Sequence, residues 1–301
     1  MIHSVLAVDL GGTKLATAVV DSDGQIRARR KVPVSRDGVR STAEQIAGEA
    51  RSCMEEAGAT WAGIGGVGII VPGIYRAREG TAWAPNLWGD QNVDLSGALR
   101  EVLPAAVSID SDRAGYVLGE HWLGAAKGFS DVVFLAVGTG IGAGILSGGR
   151  LVRGAGDIAG AVGWFALSPE YKEEYRIKGC WESEAAGPGL AQRLGAASAE
   201  EVVEAARRGD SRACEAVAET VRYLGMGIAN LISLLNPEVV VLGGGLMQAG
   251  DLFLEPVRQA VLPWAQPYSA QQVRIELSQL GESAGLLGAA RLALIGPGQI
   301  H

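Results

Sequence analysis

The fold is decided by one stretch near the start of the chain, Val5-Leu6-Ala7-Val8-Asp9-Leu10-Gly11-Gly12-Thr13-Lys14. Four apolar residues lead into an acid and a double glycine, which predicts a short buried strand that ends in a tight turn. Residues 15–21 are again strand-like, Ser22-Asp23-Gly24 supplies a hairpin turn, and residues 25–34 return as a third strand. The first pattern is therefore strand, glycine turn, strand, turn and strand.

The same pattern recurs in the second half of the chain. Residues 132–137 are an apolar run, Gly138-Thr139-Gly140-Ile141-Gly142 is a glycine turn, and residues 143–152 contain a second hairpin. Helical patterns follow each copy, so we predict an internal duplication that gives two domains with a ligand cleft between them. The predicted small N-terminal domain covers residues 1–113 plus a C-terminal helix within residues 282–301, and the larger C-terminal domain covers residues 114–281.

Composition and charge narrow the class of protein. The chain has 301 residues, of which 48% are hydrophobic and 20% charged, as expected for a folded globule with one or two cores. A net charge of −7 leaves no basic face to neutralise nucleic-acid phosphates. Three widely spaced cysteines indicate a reducing compartment, and no apolar run is long enough to span a bilayer. We therefore expect a cytoplasmic protein without nucleic-acid or membrane partners.

The glycine turns are candidate phosphate-binding elements. A turn without β-carbons presents backbone N–H groups closely to an anion, and Thr13 and Thr139 would add hydroxyl donors. Plain hairpins use glycine equally well. Two turns in duplicated positions, with Gly243-Gly244-Gly245 after a further strand, favour phosphate binding over plain turns. The second turn leads into a strand pattern, which argues against a dinucleotide fingerprint, and no Gly-Lys-Ser or Gly-Lys-Thr stands at P-loop spacing.

Aspartates stand at the ends of two predicted strands. Asp9, at the mouth of the first turn, could hold a magnesium-bound water or could cap the turn. Asp110 and Asp112 follow residues 107–109, and either could cap the next helix. One of them could equally be the general base that takes a hydroxyl proton during phosphoryl transfer. The residues alone leave these alternatives open.

Taken together, the motifs resemble those of the ROK family, which includes bacterial glucokinases, kinases of other hexoses and amino sugars, and sugar-responsive repressors. The resemblance implies an α/β, actin-like ATPase (ribonuclease H-like) fold, ATP and Mg²⁺ as cofactors, a small-molecule sugar substrate and a homodimer. The segments that carry it are Val8-Asp9-Leu10-Gly11-Gly12-Thr13-Lys14, Val71-Pro72-Gly73, Ala84-Pro85-Asn86-Leu87, Ser111-Asp112 with Leu118-Gly119-Glu120, Gly138-Thr139-Gly140-Ile141-Gly142, Gly179-Cys180-Trp181-Glu182 and Leu242-Gly243-Gly244-Gly245.

The resemblance also implies roles for single residues. Asp112 would be the catalytic base for the 6-hydroxyl of the sugar, and Ser111 stands where the family has an Asn. The implied nucleotide-binding residues are Asp9, Gly11, Gly12, Thr13, Lys14, Gly138, Thr139, Gly140, Gly244 and Gly245. The implied sugar-binding residues are Gly73, Asn86, Ser111, Asp112, Trp164 and Glu182.

The sugar side departs from the family pattern. Ala161 replaces a Glu that binds the sugar, and Trp164 replaces a His that binds both the sugar and a structural zinc. Cys180 is the one remaining cysteine of the zinc site, with Glu173 and Tyr175 at the other two positions. One cysteine without a His cannot form a tetrahedral site, so we predict no structural zinc and Mg²⁺ that arrives with ATP.

These departures change the expected substrate and the expected packing. Losing the Glu removes an acceptor for sugar hydroxyls, and hydrogen-bonding groups of this kind discriminate strongly between substrates. Trp164 would then stack on the ring of a hexose altered at carbons 1 to 3, such as an amino sugar. Residues 168–178 would be held by packing of Tyr171, Tyr175 and Trp181.

Three function classes follow from the sequence. An ATP-dependent sugar kinase is favoured, because Asp112 and both phosphate turns are present. A catalytically silent sugar- or nucleotide-binding protein is the alternative, since Ala161 and Trp164 remove sugar ligands. A repressor is disfavoured, because the first strand begins by residue 5 without a preceding DNA-recognition helix.

Overall fold

The structure, a computed structural model, describes residues 4–296. The predicted N-terminal domain includes residues 1–3 and the predicted C-terminal helix includes residues 297–301, and both stretches lie outside the described residues. The chain divides into two compact units. The first unit contains residues up to 127, residues 153–158 and the C-terminal segment from residue 282, and the second contains residues 128–152 and 159–281.

Most of the described residues belong to helices and strands. The strands are β1 (Ser4–Leu10), β2 (Lys14–Asp21), β3 (Ile26–Pro33), β4 (Ile64–Val71), β5 (Ile74–Arg76), β6 (Thr81–Trp83), β7 (Asn92–Val93), β8 (Val107–Ser111), β9 (Val132–Val137), β10 (Ile141–Ser147), β11 (Arg150–Leu151), β12 (Val239–Gly243) and β13 (Arg274–Leu277). The helices are α1 (Val39–Glu56), α2 (Pro85–Trp88), α3 (Leu95–Val102), α4 (Asp112–Leu123), α5 (Tyr175–Lys178), α6 (Cys180–Ala185), α7 (Gly187–Leu194), α8 (Ala199–Arg207), α9 (Ser211–Leu235), α10 (Gly250–Val261), α11 (Pro267–Gln272) and α12 (Ala284–Ile295). Among residues 4–296, no helix has both the length and the apolar character needed to cross a membrane.

The two units contain sheets of the same design. The first sheet has the order β3-β2-β1-β4-β8, and the second has the order β11-β10-β9-β12-β13. In each, the first two strands of the unit form an antiparallel hairpin, and the first strand also pairs in parallel with a strand that follows later. The prediction of a duplicated α/β architecture is confirmed.

The central strands of the two sheets are more deeply buried than the edge strand β3. β1, β4, β9 and β12 are almost wholly buried runs of apolar residues, as expected for central strands covered on both faces. β3 lies at a sheet edge and alternates between half-buried and exposed residues. The basic residues of this edge strand are exposed or paired with carboxylates, which is how sheet edges are protected from further pairing.

Several glycines serve helix packing instead of turns. A β-carbon at Gly288 of α12 would lie 1.8 Å from the carbonyl oxygen of Gly115 in α4, and one at Gly119 would lie 2.6 Å from the carbonyl of Ala284. A β-carbon at Gly68 of β4 would meet the carbonyl of Ala289 at 1.8 Å. The backbones of α4, α12 and β4 therefore approach at distances that only glycine permits.

The predicted division near residue 113 falls at the first turn of α4. The structure keeps the whole of that helix with the first unit, because α4 packs against α12 through the glycine contacts above. The first unit also includes residues 153–158, where Arg153 pairs with Asp110 at 2.5 Å and Asp157 accepts from the backbone N–H of Ala77 at 3.3 Å.

Candidate active site

The first part of the candidate site is the junction of β8 and α4. Ser111 ends the strand and caps the helix, where its hydroxyl accepts from the backbone N–H of Ala114 at 3.4 Å. Asp112 is the first residue of α4, and its Oδ1 accepts from the N–H of Arg113 at 2.8 Å. A carboxylate at a helix N-terminus is stabilised by the orphan N–H groups and the helix dipole. The strand-to-helix transition therefore fixes the direction of the Asp112 side chain.

The environment of Asp112 suits a general base. Burial raises the pKa of this carboxyl to about 6, while the charge and the N–H of Arg113 act in the opposite direction. A base with a pKa just below neutral is mostly ionised at pH 7 and can still hold a proton in a transition state. The neighbouring Asp110 is engaged elsewhere, since it pairs with Arg153 at 2.5 Å and accepts from the N–H of Ser111 at 2.8 Å. Of the two aspartates, Asp112 has the chemistry of a base.

Asp9 lies near the end of β1 within electrostatic reach of Asp112. Its pKa is raised to about 7, mainly by burial and then by the charge of Asp112, while Lys31 and Arg29 act in the opposite direction. A β-carbon at Gly285 would lie 2.2 Å from Asp9 Oδ2, so α12 leaves room for this carboxylate by carrying a glycine there. Carboxylate oxygens are the donors that Mg²⁺ prefers, and a cation beside Asp9 would relieve the repulsion from Asp112. The residues present fit a hydrated Mg²⁺ carried by ATP.

The described residues contain no group of three or more His, Cys, Asp and Glu side chains that could hold a metal ion by themselves. Tyr116, which the sequence analysis did not single out, also belongs to this neighbourhood. Burial and then the charges of Asp9 and Asp112 raise the pKa of its hydroxyl above the ordinary value, so it stays protonated. Helical spacing places Tyr116 one turn after Asp112, a signal that is visible only once Asp112 is chosen.

The first glycine turn brings two predicted groups together. Gly11 N–H donates to the carbonyl of Lys14 at 2.9 Å, which closes the turn, and Arg36 donates to the carbonyl of Gly12 at 2.6 Å. A β-carbon at Gly12 would lie 3.4 Å from the β-carbon of Asn86. Thr13 and Lys14 are exposed. Gly12, predicted for phosphate, and Asn86, predicted for the sugar, are therefore neighbours.

Gly73 is joined to α4 by a residue that the sequence analysis missed. Its φ of 93° and the 2.3 Å from its ideal β-carbon to the carbonyl of Trp83 both require glycine. Its carbonyl accepts from Arg113 Nη2 at 3.2 Å. Arg113 thus connects the predicted sugar loop to α4 while its charge acts on Asp112.

In the second unit, the turn Gly138–Gly140 lies at the N-terminus of α7. Gly138 N–H donates to the carbonyl of Gly140 at 3.0 Å, and its carbonyl accepts from Gly187 N–H at 2.8 Å. The positive end of the α7 dipole therefore adjoins the turn, which favours an anion there. Gly244 has a φ of 92°, and its ideal β-carbon would lie 2.4 Å from the carbonyl of Val137. The two glycine turns of this unit are packed side by side.

A cavity of about 650 Å³ opens beside these turns. This volume falls in the range of pockets that hold a ligand of nucleoside size. Of the predicted nucleotide-binding residues, Gly138, Thr139 and Gly245 line it, whereas Gly140 and Gly244 shape the backbone around it. The remaining lining residues, which the sequence analysis missed, are Gly187, Pro188, Ala191, Ala197, Ser198, Ala199, Glu200, Val203, Glu204, Arg207, Leu246, Gln248 and Ala249.

Glu182, predicted to bind the sugar, lies against the phosphate turn. Its Oε2 accepts from the N–H of Ile141 at 2.8 Å, and a β-carbon at Gly140 would lie 2.6 Å from the same oxygen. Burial raises the pKa of Glu182, whereas the Ile141 N–H and then Lys178 lower it. Glu182 is thus fixed by one oxygen, and the other is the one that could serve a ligand.

Trp164 ends a short 3₁₀ segment, and Ala161 directly precedes that segment. The segment packs on α6 and β10. Trp164 is 56% exposed, so its ring is available to a ligand. Gly163 and Gly179 allow close contact here, because a β-carbon at Gly179 would lie 2.7 Å from the Cα of Trp164. The positions that depart from the family pattern therefore lie next to the segment of Glu182.

Tyr175, at one of the positions where the family has a zinc ligand, belongs to a cluster of side chains around a carboxylate. We call Lys172, Tyr175, Glu184 and Arg193 the Glu184 cluster, since all three partners donate to Glu184. Cys180 is buried beside it. The expected aromatic packing is also present, with Phe165 stacked on Trp181 at 5.7 Å between ring centroids and Tyr171 edge-on to Tyr175 at 6.3 Å.

Comparison with known proteins gives consistent matches. Residues 5–295 match the ROK family. The glucokinase of Streptomyces coelicolor is 32% identical over 317 residues, covering 96% of each chain. The ROK hexokinase structure from Thermus thermophilus superposes with a TM-score of 0.82, 32% identity and coverage of 97% of this chain and 98% of that one. The ROK glucokinase of Streptomyces griseus, solved with glucose and AMPPNP, gives 0.77 and 30%, with coverage of 97% and 100%. The predicted actin-like ATPase fold is confirmed.

Other relatives differ in function. An N-acetyl-D-glucosamine kinase of Yersinia enterocolitica is 29% identical and covers 95% of this chain and 98% of its own length. A xylose repressor of Caldicellulosiruptor bescii is 33% identical over 256 residues, which cover 77% of this chain but 63% of the repressor. The matching region is therefore used by kinases of different sugars and by regulators.

Proposed function

The chain belongs to the ROK family, and we propose that it transfers the γ-phosphoryl group of ATP to the 6-hydroxyl of a hexose or amino-hexose, with Asp112 as general base. It is an ATP-dependent sugar kinase, since glucokinases align along its whole length and the related Streptomyces griseus enzyme binds glucose and an ATP analogue. The acceptor hydroxyl and the roles of single residues are our proposal.

One observation carries the choice of Asp112. Its carboxylate is fixed at the first turn of α4 by the Arg113 N–H, and burial raises its pKa to about 6. In the reaction, Asp112 accepts the proton of the sugar 6-hydroxyl. The sugar oxygen forms a bond to the γ-phosphorus, the bond from that phosphorus to the bridging oxygen breaks, and ADP leaves with the electron pair.

The second unit supplies the groups proposed for ATP. The cavity beside Gly138 and Gly245 would hold the nucleoside, and the backbone N–H groups of the adjoining turn, with the N-terminus of α7, would face the phosphates. Asp9 would hold a water of the Mg²⁺ that accompanies ATP. When bound, Mg²⁺ would neutralise charge on the phosphates.

The sugar would be bound by Gly73, Asn86 and Glu182, with Trp164 stacking on its ring. Trp164 is exposed, and Ala161 offers no acceptor, so a sugar recognised through its ring face fits better than one recognised through hydroxyls at carbons 1 to 3. We therefore propose an amino-hexose or a hexose altered at these carbons. The homodimer stays a prediction, which light scattering of the purified chain would check.

The test is an assay of ADP release across glucose, mannose, glucosamine, N-acetylglucosamine and 3-amino-glucose. We expect Asp112→Asn to lower kcat by about 10²- to 10⁴-fold, whereas Asp23→Asn in an exposed hairpin leaves it unchanged. Phosphorus NMR of the product identifies the phosphorylated oxygen. Full activity of Asp112→Asn would overturn the assignment of the base, and ADP binding without turnover of any sugar would establish the silent binding protein instead. Clear preference for glucose would exclude the altered-sugar proposal.

A further inference from the structure

The Glu184 cluster ties three elements of the second unit together. Lys172 Nζ donates to Glu184 Oε1 at 2.5 Å, and the hydroxyl of Tyr175 donates to the same oxygen. Arg193 Nη2, from α7, donates to Oε2 at 2.7 Å, and its Nη1 donates to the backbone carbonyl of Glu184. Burial raises the pKa of Glu184, but the hydrogen bonds from Lys172 and Tyr175 outweigh it, so the carboxylate stays ionised.

The orientation of α6 depends on contacts with the rest of the unit. This helix has six residues, and so short a helix is not stable without tertiary contacts. Trp181 supplies one anchor, since it is fully buried, stacks on Phe165, and lies against Gly227 of α9, where a β-carbon would come within 2.2 Å of the ring. Glu184, three residues later, supplies the other.

Glu182 lies between these two anchors. Its Oε2 reaches the N–H of Ile141, at the end of the Gly138–Gly140 turn, at 2.8 Å. The carboxylate of Glu182 lies directly against the turn, because a β-carbon at Gly140 would lie 2.6 Å from Glu182 Oε2. A small rotation of α6 would therefore move the carboxylate off the turn.

We propose that Glu184 is a positioning residue that holds Glu182 against the phosphate turn through α6. Glu184 touches neither the proposed sugar nor the proposed nucleotide, and it acts through the direction of a short helix. The inference rests on the proposed function at one point, the contact of Glu182 with the sugar.

A double-mutant cycle on the full chain tests the proposal. Kinetics with the best sugar of the panel are measured for Glu182→Gln, Glu184→Gln and the double variant, with ATP and sugar varied separately. We expect each single change to lower kcat/KM for the sugar by about ten- to a hundredfold. We expect the double variant to have the same kcat/KM for the sugar as Glu182→Gln alone, because both substitutions act on the contact of Glu182 with the turn. Additive losses would overturn the proposal.

Two further variants separate positioning from general loss of structure. Tyr175→Phe removes one hydroxyl donor to Glu184 and keeps the ring, so the same cycle can be run with it if Glu184→Gln does not fold. Glu276→Gln, in β13, removes a carboxylate paired with Arg258 at 3.2 Å in the same unit. We expect Glu276→Gln to leave sugar kinetics unchanged, and an equal loss there would overturn the proposal.

Hydrogen exchange gives a readout that does not depend on activity. The amide of Ile141 is protected by Glu182, so exchange of a peptide covering residues 138–143 is expected to speed up about tenfold in Glu182→Ala, which removes the acceptor, and in Glu184→Gln. Peptides from β12 serve as the internal reference. Faster exchange without sugar turnover in the wild-type chain would mean that the proposed function is wrong and the positioning is right. Unchanged exchange in Glu184→Gln would show that Glu184 does not position Glu182.

Discussion

The two glycine turns have the same place in their sheets and different surroundings. Asp9 pairs with Ala16 just before the first turn, and Ala136 pairs with Gly142 just before the second. The first turn adjoins a buried carboxylate and Asn86. The second adjoins a helix N-terminus and a cavity of about 650 Å³, and no acid precedes it. The duplicated hairpin therefore has a buried carboxylate beside its turn in one unit, and a helix N-terminus and a cavity beside its turn in the other.

The comparison teaches that a turn motif sets a backbone shape, while its neighbours set the ligand. Both turns expose N–H groups, yet burial and Asp112 give the first a carboxyl whose pKa is about 7. The second has backbone donors, the hydroxyl of Thr139, and Glu182, which accepts from the N–H of Ile141. Changing a residue at one turn and the equivalent residue at the other should therefore give different effects.

The largest effect is expected from filling the cavity at the second turn. A β-carbon at Gly245 would have no atom within 4 Å, so Gly245→Leu should fold normally and occupy the cavity. We expect the Kd for ADP to rise about a hundredfold or more, measured by titration calorimetry, which corresponds to about 2.7 kcal/mol. Gly48→Leu, also in open space but in α1, is the matched control. Unchanged ADP affinity in Gly245→Leu would mean that the nucleoside binds elsewhere.

The next prediction compares a methyl group at each turn. At Gly140 the added carbon would lie 2.6 Å from Glu182 Oε2, whereas at Gly12 it would lie 3.4 Å from Asn86. Gly140→Ala therefore displaces Glu182, and we expect kcat/KM for the sugar to fall about tenfold or more. Gly12→Ala needs no such movement and should change it less than about threefold. Steady-state kinetics on both variants decides the matter, and equal losses would contradict the asymmetry of the turns.

These contacts also mark the limit of sequence-based prediction. Strands and turns follow from local patterns, because alternation and glycine clusters are short-range signals. The choice of Asp112 over Asp110 came from the resemblance to the ROK family, since the local pattern fits either residue. The bond from Glu182 to Ile141 joins residues 41 positions apart, and the crowding of Gly115 by Gly288 joins more distant ones. A periodic pattern contains no information on which helices cross. The sequence analysis therefore assigned the glycines to turns and missed those that serve packing.

We expect a further difference between the turns, which is a pH-dependent need for Mg²⁺. Asp9 can receive a cation only when ionised, and its pKa is about 7 without one. Below that pH, the Mg²⁺ concentration for half-maximal activity should rise by up to about tenfold per pH unit. Asp9→Asn should need more Mg²⁺ at pH 8 and should lose most of this pH dependence. Activity titrated with Mg²⁺ from pH 5.5 to 8.5 measures both, and parallel curves for the two proteins would remove Asp9 from the cation site.

The last comparison concerns the free energy of unfolding. The pKa of Asp9 is about 7 in the folded chain and 3.8 ordinarily, so the folded state binds this proton more tightly than the unfolded state. Its contribution to the unfolding free energy is fully present below pH 3.8 and is lost as the pH rises towards 7. At pH 8, Asp9→Asn should therefore be more stable than wild type by about 1–3 kcal/mol, and near pH 4 the two should agree.

The equivalent position at the other turn should give the opposite result. Ala136→Asp places a carboxyl in a half-buried strand end that has evolved without one, and we expect it to lower the unfolding free energy at pH 8 by about 1–3 kcal/mol relative to Ala136→Asn. Urea unfolding at pH 4 and pH 8 measures all three variants and the wild type. If Asp9→Asn is destabilising at pH 8, the Asp9 carboxylate is stabilised in the folded chain. The carboxylate beside the first turn would then not be destabilised in the absence of a cation. The cavity would remain as the difference between the surroundings of the two turns.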